Sequence, residues 1–364
     1  MIFRLAEPSD DSQLRALMRE IVVPGHIQIA YTREPNFFNA YQDVDPCAQV
    51  IVAEENHRIE GVACRSVRQL MVNGKPRALG YLSGLRIRSS ARKGTALARG
   101  YAYLKTLHAD GRVPAYLTTI VQGNEEARRI LTSQRATLPT YHPLGNYLTY
   151  VCPVKRRPLT AKPLKDIEIT TAAKFPLQAL TEYLRQEGSV RQFFPVFTPE
   201  GEPNSLFRSI GLEQILVAQQ AGKIIGTLAV WDQEKAKQHL VAGYSGLFQI
   251  VRPLLNLVLR ALNYHTLPRV GETVRTASAA LLCIRNNDSK VFHALLQHAL
   301  ALAAAKGLHH LAIGLHERAP LIPNLKNVFH ITYCSGLYLA AWEGKDFFES
   351  LDPSLVPYLE LGTL

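Results

Sequence analysis

The chain is sparing with several things, and each scarcity removes a class of function. It holds five cysteines in 364 residues, Cys47, Cys64, Cys152, Cys283 and Cys334. They are odd in number, scattered and without CxxC spacing, which argues against a disulfide framework and for reduced thiols in a cytoplasmic protein. No apolar run is long enough for a bilayer. The longest, Val291 to Ala305, is broken by His293, Gln297 and His298 and reads as a packed helix, so no membrane partner is expected. The first residues lack a signal-peptide apolar core and soon meet Glu7, Asp10 and Asp11. The histidines His293, His298, His309, His310 and His316 have no carboxylate cluster beside them. His293 and His298 are five apart, off one helical face, so no metal is expected.

The sharpest absence is local. Residues 61–109 hold ten Lys or Arg (Arg65, Arg68, Lys75, Arg77, Arg86, Arg88, Arg92, Lys93, Arg99, Lys105) and no Asp or Glu. A solvated face usually mixes signs, so a one-signed run suits a polyanionic ligand. At its centre an apolar strand, Leu79 to Ile87, meets a small and basic loop, Arg88 to Thr95. An apolar-periodic helix with Leu97, Tyr101, Leu104 and Leu107 follows. Strand, Gly-containing loop and helix start form an anion cradle, where backbone N–H groups and the helix dipole converge. Gly94 allows close approach of a phosphate. An ordinary strand–helix turn with exposed cations is the plainer alternative, since a lone Gly loop is weakly specific.

What is present is an ordinary globular composition, 47% hydrophobic and 20% charged. The length favours two domains. The net charge of +11 is uneven: residues 1–160 carry 22 Lys+Arg against 13 Asp+Glu, and residues 161–364 carry 19 against 17. The chain reads as a short strand at residues 2–6, a helix Gln13–Ile21 capped from Ser9, Asp10 or Asp11, and a Pro- and aromatic-rich connection 24–46. Then come a hairpin turning at Asn56–His57, a turn at Asn73–Gly74, the central strand, loop and helix, a strand Ala115–Val121, a helix Glu125–Leu131 and a β-rich close near residue 152. Residues 153–165 begin PVKRRPLTAKP and read as a linker.

The second part starts again. Gln214 to Gly226 repeats Gln49 to Gly61 at an offset of 165, with Gln, Val, Ala, Ile and Gly identical at five columns. An internal duplication explains this best. The resulting division is 1–152, linker 153–165, and 166–364 with a largely helical insertion near 247–275. In the second part the central strand is Val274–Ile284, and its loop, RNNDSK, has no glycine and carries Asp288. An acid there would repel a pyrophosphate, so this copy is expected to have lost its anion site.

The element order resembles the GNAT acyltransferase superfamily, and two motifs carry the likeness. Ala91-Arg92-Lys93-Gly94-Thr95-Ala96 is similar to that family's acyl-CoA loop, Gln/Arg-x-x-Gly-x-Gly/Ala, with Ala91 in place of the leading residue. Asn124-Glu125-Glu126-Ala127 is similar to its Asn-x-x-Ala helix start, but Leu131 stands where members often have a Tyr acid. The resemblance implies an α/β (α+β) fold of two tandem GNAT-like domains, each a mixed central sheet flanked by helices. It implies an acetyl-CoA-dependent N-acetyltransferase acting by direct transfer on a small-molecule or peptide amine.

The residues implied for acetyl-CoA are Leu85, Arg86 and Ile87 at a strand bulge, Arg92, Lys93, Gly94, Thr95 and Ala96 in the loop, and Asn124 and Ala127. No metal cofactor is implied. Tyr141 and His142 are candidates for protonating the thiolate, with Tyr147 near them, and Glu54 leads Glu55, Asp43 and Asp45 as base. Caps, turns and aromatic packing are the plainer readings of all of these. Cys64 is expected to be buried and structural. Three alternatives stay open: an acyltransferase using aminoacyl-tRNA, a non-catalytic CoA- or nucleic-acid-binding module, and, for assembly, a homodimer.

Overall fold

The structure is a computed structural model, and it describes residues 1–364 apart from 24, 43–44, 46–47, 92–94, 134–136, 158–163, 165, 199–204 and 344. Its main feature is one sheet of twelve strands. In chain order these are β1 Ile2–Leu5, β2 Gln49–Glu55, β3 Arg58–Val72, β4 Lys75–Ile87, β5 Tyr116–Val121 and β6 Thr140–Pro153, then β7 Glu168–Thr171, β8 Ile215–Gln220, β9 Lys223–Asp232, β10 Thr276–Ile284, β11 His310–His316 and β12 Ile331–Ala341. Across the sheet they run β1-β2-β3-β4-β5-β12-β6-β11-β10-β9-β8-β7. All neighbouring pairs are antiparallel except β4–β5 and β10–β11. The order is palindromic: each strand of the first half occupies the place mirrored by the strand six later.

The repeated hairpins share a register. Ala53 faces Gly61 and Ala218 faces Gly226, and a bulge follows Ala53 and Ala218 alike. The first strands differ by one step, since Leu5 faces Ile51 whereas Thr171 faces Leu216. Glycine serves the hairpin for a packing reason at Gly226, where a Cβ would lie 2.7 Å from Val291 Cγ1.

The two expected sheets are joined by an exchange. β6 does not return to β5; it lies between β11 and β12, while β12 lies between β5 and β6. β-strands specify which of their faces is apolar but not which edge they join, so alternation alone leaves the partner open. The exchanged pair puts the core across the middle of the molecule, with Tyr147 on β6 and Leu337 and Leu339 on β12 in one cluster with Leu79 and Leu117.

Helices cover both faces. α1, Asp11–Glu20, buries Leu14, Leu17 and Met18 against Val50, Val52, Ile59 and Val62. The Asp10 carboxylate does not cap α1 as expected; it accepts from Glu7 N (2.8 Å) and binds Arg4. α2, Ala96–His108, and α3, Glu125–Leu131, cover the opposite face around Tyr101, Leu104, Tyr116 and Leu131. In the second half α4, Leu177–Gly188, packs on β10, and α6, Ser289–Ala305, buries eight residues against β8 and β9. α5, Leu247–Ala261, lies between α4 and α6 in sequence and buries none of its residues. A small sheet pairs Gln238–Tyr244 with Ile27–Thr32 and Val22–Val23, tying the two halves together over α1. Among the described residues, no helix is long and apolar enough to cross a membrane.

Candidate functional site: a parted strand pair and a cationic chamber

β4 and β5 run side by side for only two rungs, Gly80 with Tyr116 and Tyr81 with Leu117, and then separate. Gly80 is needed at the root of this wedge because any Cβ there would collide with the Tyr116 ring. The floor is closed by Thr118 Oγ1, which donates to Leu82 O (3.0 Å), and by Tyr81 and Thr119, whose hydroxyls approach to 3.5 Å. Beyond Leu82, β4 has no strand neighbour on the β5 side among the described residues.

A bulge sits where β4 leaves that support. Cys64 faces Ser83 and Val62 faces Arg86, so Gly84 and Leu85 on β4 together oppose the single residue Ala63, with Gly84 at φ +66. The bulge therefore begins one residue before the expected Leu85–Ile87. A bulge turns a backbone amide out of the ladder. Leu85 is exposed, Arg86 half-buried, and Ile87 pairs with Gly61.

The same bulge occurs in the second half, between Cys283 facing Thr227 and Ala280 facing Ala229, with Leu281 at φ +49. Here the molecule fills its own wedge. Leu281 N donates to Glu360 Oε2 (3.0 Å), and Tyr358 OH donates to the same oxygen (2.8 Å). Arg191 Nη1 donates to Leu282 O (2.6 Å) and Tyr183 OH to Cys283 O (3.1 Å). Burial lifts the Glu360 carboxyl from its ordinary 4.5 to about 7. The loop is filled as well: Asp288 Oδ1 accepts from Lys290 N (2.7 Å) and Val291 N (3.1 Å), at the start of α6.

In the first half the corresponding loop leaves Arg88 through the single helical turn Ser89–Ala91 and enters α2 after Thr95, with Ala96 buried. Arg92, Lys93 and Gly94 lie outside the described residues. Asn124 caps α3, its Oδ1 accepting from Ala127 N (3.2 Å), and Leu131 is a core residue beneath Tyr101.

Three cations of the acid-free run, Arg65, Arg68 and Arg88, are paired with carboxylates from elsewhere in the chain. Fully buried Arg65 binds Asp110 (2.8 Å) and Tyr116 OH (2.9 Å), Arg88 binds Glu20 (2.8 Å) and Ile59 O, and Arg99 binds Met1 O (2.7 Å). Arg65, Arg88 and Arg99 thus hold the fold together, whereas Lys75, Arg77, Arg86 and Lys105 have no carboxylate partner among the described residues.

A different set of cations does converge, behind the bulge. A Cβ at Gly84 would lie 3.7 Å from Tyr41 OH, and the Arg33 guanidinium lies 6.0 Å from the Tyr41 ring centre. Arg68 stands 4.8 Å over the Tyr81 ring and binds Asp45 (3.2 Å) and Thr363. Lys237 Nζ donates to Gly362 O (2.7 Å), and Arg86 lies 5.9 Å from the Tyr31 ring, which meets His239. Arg33 Nε is buried without a hydrogen-bond partner, and neither Arg33 nor Arg86 has an ion pair among the described residues. The group acts as one positive field. Burial, then Arg33 and Arg68, push the Lys237 ammonium well below its ordinary range, and burial with Arg33 and Lys237 pushes His239 down to about 4. Arg33, Lys237 and His239 are half-buried and form the inner side of this cationic cluster.

The three candidates for proton transfer are not brought together. Tyr141 and His142 are consecutive on β6 and so point to opposite faces. The Tyr141 hydroxyl is 2.5 Å from Tyr101 OH beneath α2, and burial raises it far above the ordinary phenol range. The His142 ring stacks on Phe348 with centres 4.5 Å apart. Glu54 is held by Arg4 (2.7 Å) at the β1–β2 end of the sheet, and Glu55 by the terminal ammonium (3.2 Å). Asp43 lies outside the described residues. The Cys64 thiol is buried, which raises it to about 12, and it is no nucleophile. Arg33, Tyr41, Tyr81, Lys237 and Glu360 carried no sequence signal, because residues from widely separated stretches meet only in the fold.

No protein-family model matches the chain, and no curated protein matches it in sequence. Solved structures do match it in shape. N-myristoyltransferase of Saccharomyces cerevisiae with bound myristoyl-CoA and inhibitors aligns at a TM-score of 0.62 and 12% identity, over 98% of this chain and 86% of that one. A GCN5-related N-acetyltransferase from Sphaerobacter thermophilus aligns at 0.54 and 12% identity, over 98% of each chain. A GCN5-related glucosamine N-acetyltransferase region of a fungal multi-domain GH3 β-N-acetylglucosaminidase aligns at 0.60 and 11% identity, over 93% of this chain and 38% of that one. The parted parallel strands with a bulge at their mouth, found twice in one mixed sheet, are set in the fold of the GNAT N-acyltransferases.

Proposed function

We propose that the protein is an N-acyltransferase that takes an acyl group from a coenzyme A thioester, in the first-half wedge, and passes it directly to an amine. The observation that carries this reading is the second half. There, at the equivalent bulge, an amide already binds an oxygen, Glu360 Oε2, and the amides at the equivalent helix start bind a carboxylate, Asp288. Those are the two places where a thioester carbonyl and a phosphate would need donors, and in the first half no carboxylate of the chain occupies them among the described residues. The donor groups therefore fit a CoA thioester. The Gly84–Leu85 bulge would polarise its carbonyl, and the start of α2 with Thr95, Ala96 and the loop residues Arg92, Lys93 and Gly94 would take its phosphates. Asn124 and Ala127 stand at the start of α3, which follows β5, and would contact the arm of the cosubstrate. Acetyl is the acyl group we favour, because the Tyr81–Thr119 and Thr118–Leu82 contacts floor the wedge only a few residues from the bulge.

The chamber supplies the other requirement, an uncharged amine. An ammonium has no lone pair to attack with, and a positive surrounding shifts it toward the neutral form. Lys237, a resident amine, is pushed the same way, by burial first and then by Arg33 and Arg68. The field of Arg33, Arg68 and Arg86 would thus do part of the work that Glu54 was expected to do. It also favours acceptors that bring a carboxylate or another anion beside the amine. The second carboxylate-free cation, Arg86, is next to the bulge and suits that anion.

The test is calorimetric titration with acetyl-CoA, combined with hydrogen exchange and thiol release against a panel of amines. One site, protection of amides in 82–91 and 95–99, and faster turnover of anionic amines are expected. Absence of heat with any acyl-CoA from acetyl to myristoyl, or protection confined to 276–290, would remove the reading.

A further inference from the structure

α5 is built inside out. Two of its polar residues face the body: Asn256 Oδ1 accepts from Leu267 N (2.8 Å), and Arg252 lies 5.0 Å from the Tyr244 ring. Its aliphatic residues face solvent. Leu247 is 77% exposed, Ile250 75%, Leu254 67%, Leu257 64% and Val258 47%, with Val251 and Leu262 completing the same stripe. The spacing 247, 250/251, 254, 257/258 and 262 is one helical face. Soluble proteins rarely leave so large a contiguous apolar surface uncovered.

The charge beside the stripe identifies what covers it. Residues 235–271 contain no Asp or Glu. Arg260 is exposed on the helix flank, and Arg156 and Arg157 are exposed beside its C-terminal end, where Arg156 N donates to Asn263 O (2.8 Å) and Asn263 Nδ2 to Arg157 O (3.4 Å). Phe329, 67% exposed, extends the patch next to the Tyr264 ring. A second copy of the chain would have to be self-complementary, and this patch has cations with no acid to meet them. Aliphatic residues flanked by arginines and an exposed aromatic ring match a lipid surface with anionic headgroups.

We infer that α5 docks the protein onto anionic membrane surfaces, lying in the headgroup layer with Leu247, Ile250, Leu254, Leu257 and Val258 inserted. The alternating pattern around residue 250 showed only a helical insertion, and the expectation of no membrane partner rested on the lack of a spanning segment; a helix that lies on the surface needs none. The chamber strand Gln238–Tyr244 runs directly into α5 through Gly246, so docking would orient the rest of the molecule.

The experiment is flotation of the full chain with vesicles of phosphatidylcholine alone and of three parts phosphatidylcholine to one part phosphatidylglycerol. Binding to the anionic vesicles is expected, weaker by roughly tenfold or more on neutral vesicles or in high salt. Leu254→Glu with Leu257→Glu should abolish it without moving the melting temperature, since neither side chain packs in the fold. Failure to float with either vesicle overturns the inference. So does a dimer in light scattering that the double variant splits, which would assign the stripe to a second copy.

Discussion

The two halves of the molecule carry the same parted strands and the same bulge, yet among the described residues only the first wedge is free of the chain's own acids. At Leu281 a bulge amide is satisfied by Glu360, and at α6 the helix start is satisfied by Asp288. At Gly84 and α2 no described carboxylate does either. A bulge amide of this kind points a donor out of the ladder, and at Leu281 the chain itself supplies the oxygen that binds it. The second half closes its wedge with its own Glu360 and holds Val356–Thr363 in place by doing so.

The largest effect should come from separating what is compared. Residues 1–152 made alone lack β12, which covers β5, and should show no cooperative melting and no dispersed amide spectrum; a folded fragment would mean that the exchange is dispensable. Next is the pH dependence of the plug. The Glu360 carboxyl is raised to about 7 in the fold from 4.5. Between those values the folded state binds more protons than the unfolded one, so stability is full below about 4.5 and falls as pH rises through 7, by roughly 3 kcal/mol. Denaturant melts of Glu360→Gln across pH 4–8 should lack that fall. Gly84→Ala has room for its methyl, 3.7 Å from Tyr41 OH, but must hold φ +66; it should cost about 1–2 kcal/mol and weaken acyl-CoA binding. Asp288→Ala should be the mildest, losing a helix cap worth about 1 kcal/mol without creating an acyl-CoA site, because Glu360 still occupies Leu281. Calorimetry showing a second site in that variant would mean that Asp288, and not Glu360, is what separates the halves.

Much of the local structure was legible. The hairpins Gln49–Gly61 and Gln214–Gly226 announce themselves through identical residues at matching columns and share a bulge, although the Gly61 position is crowded by Arg86 O and Gly226 by Val291. Asn73 and Gly74 take the positive φ that a tight turn requires, and Glu125–Leu131 is the helix its cap at Asn124 suggests. What failed to show was everything set by distant partners. Arg65 and Arg88 look free in a window of fifty residues, yet Asp110 and Glu20 lie 45 and 68 positions away. The chamber draws on Arg33, Arg68 and Lys237, and the plug on residues 79 apart, separations over which no periodicity extends. The proton-transfer candidates suffered from strand alternation, which sends Tyr141 and His142 to opposite faces.

The exchange of β6 and β12 also sets a timetable. A nascent chain that has delivered residues 1–152 possesses β5 but not the strand that belongs beside it, and β6 has no edge to join until β11 exists. Neither sheet edge can be sealed before residues 331–341 leave the ribosome, so the earlier part must wait with β5 bare through nearly two hundred further residues of synthesis.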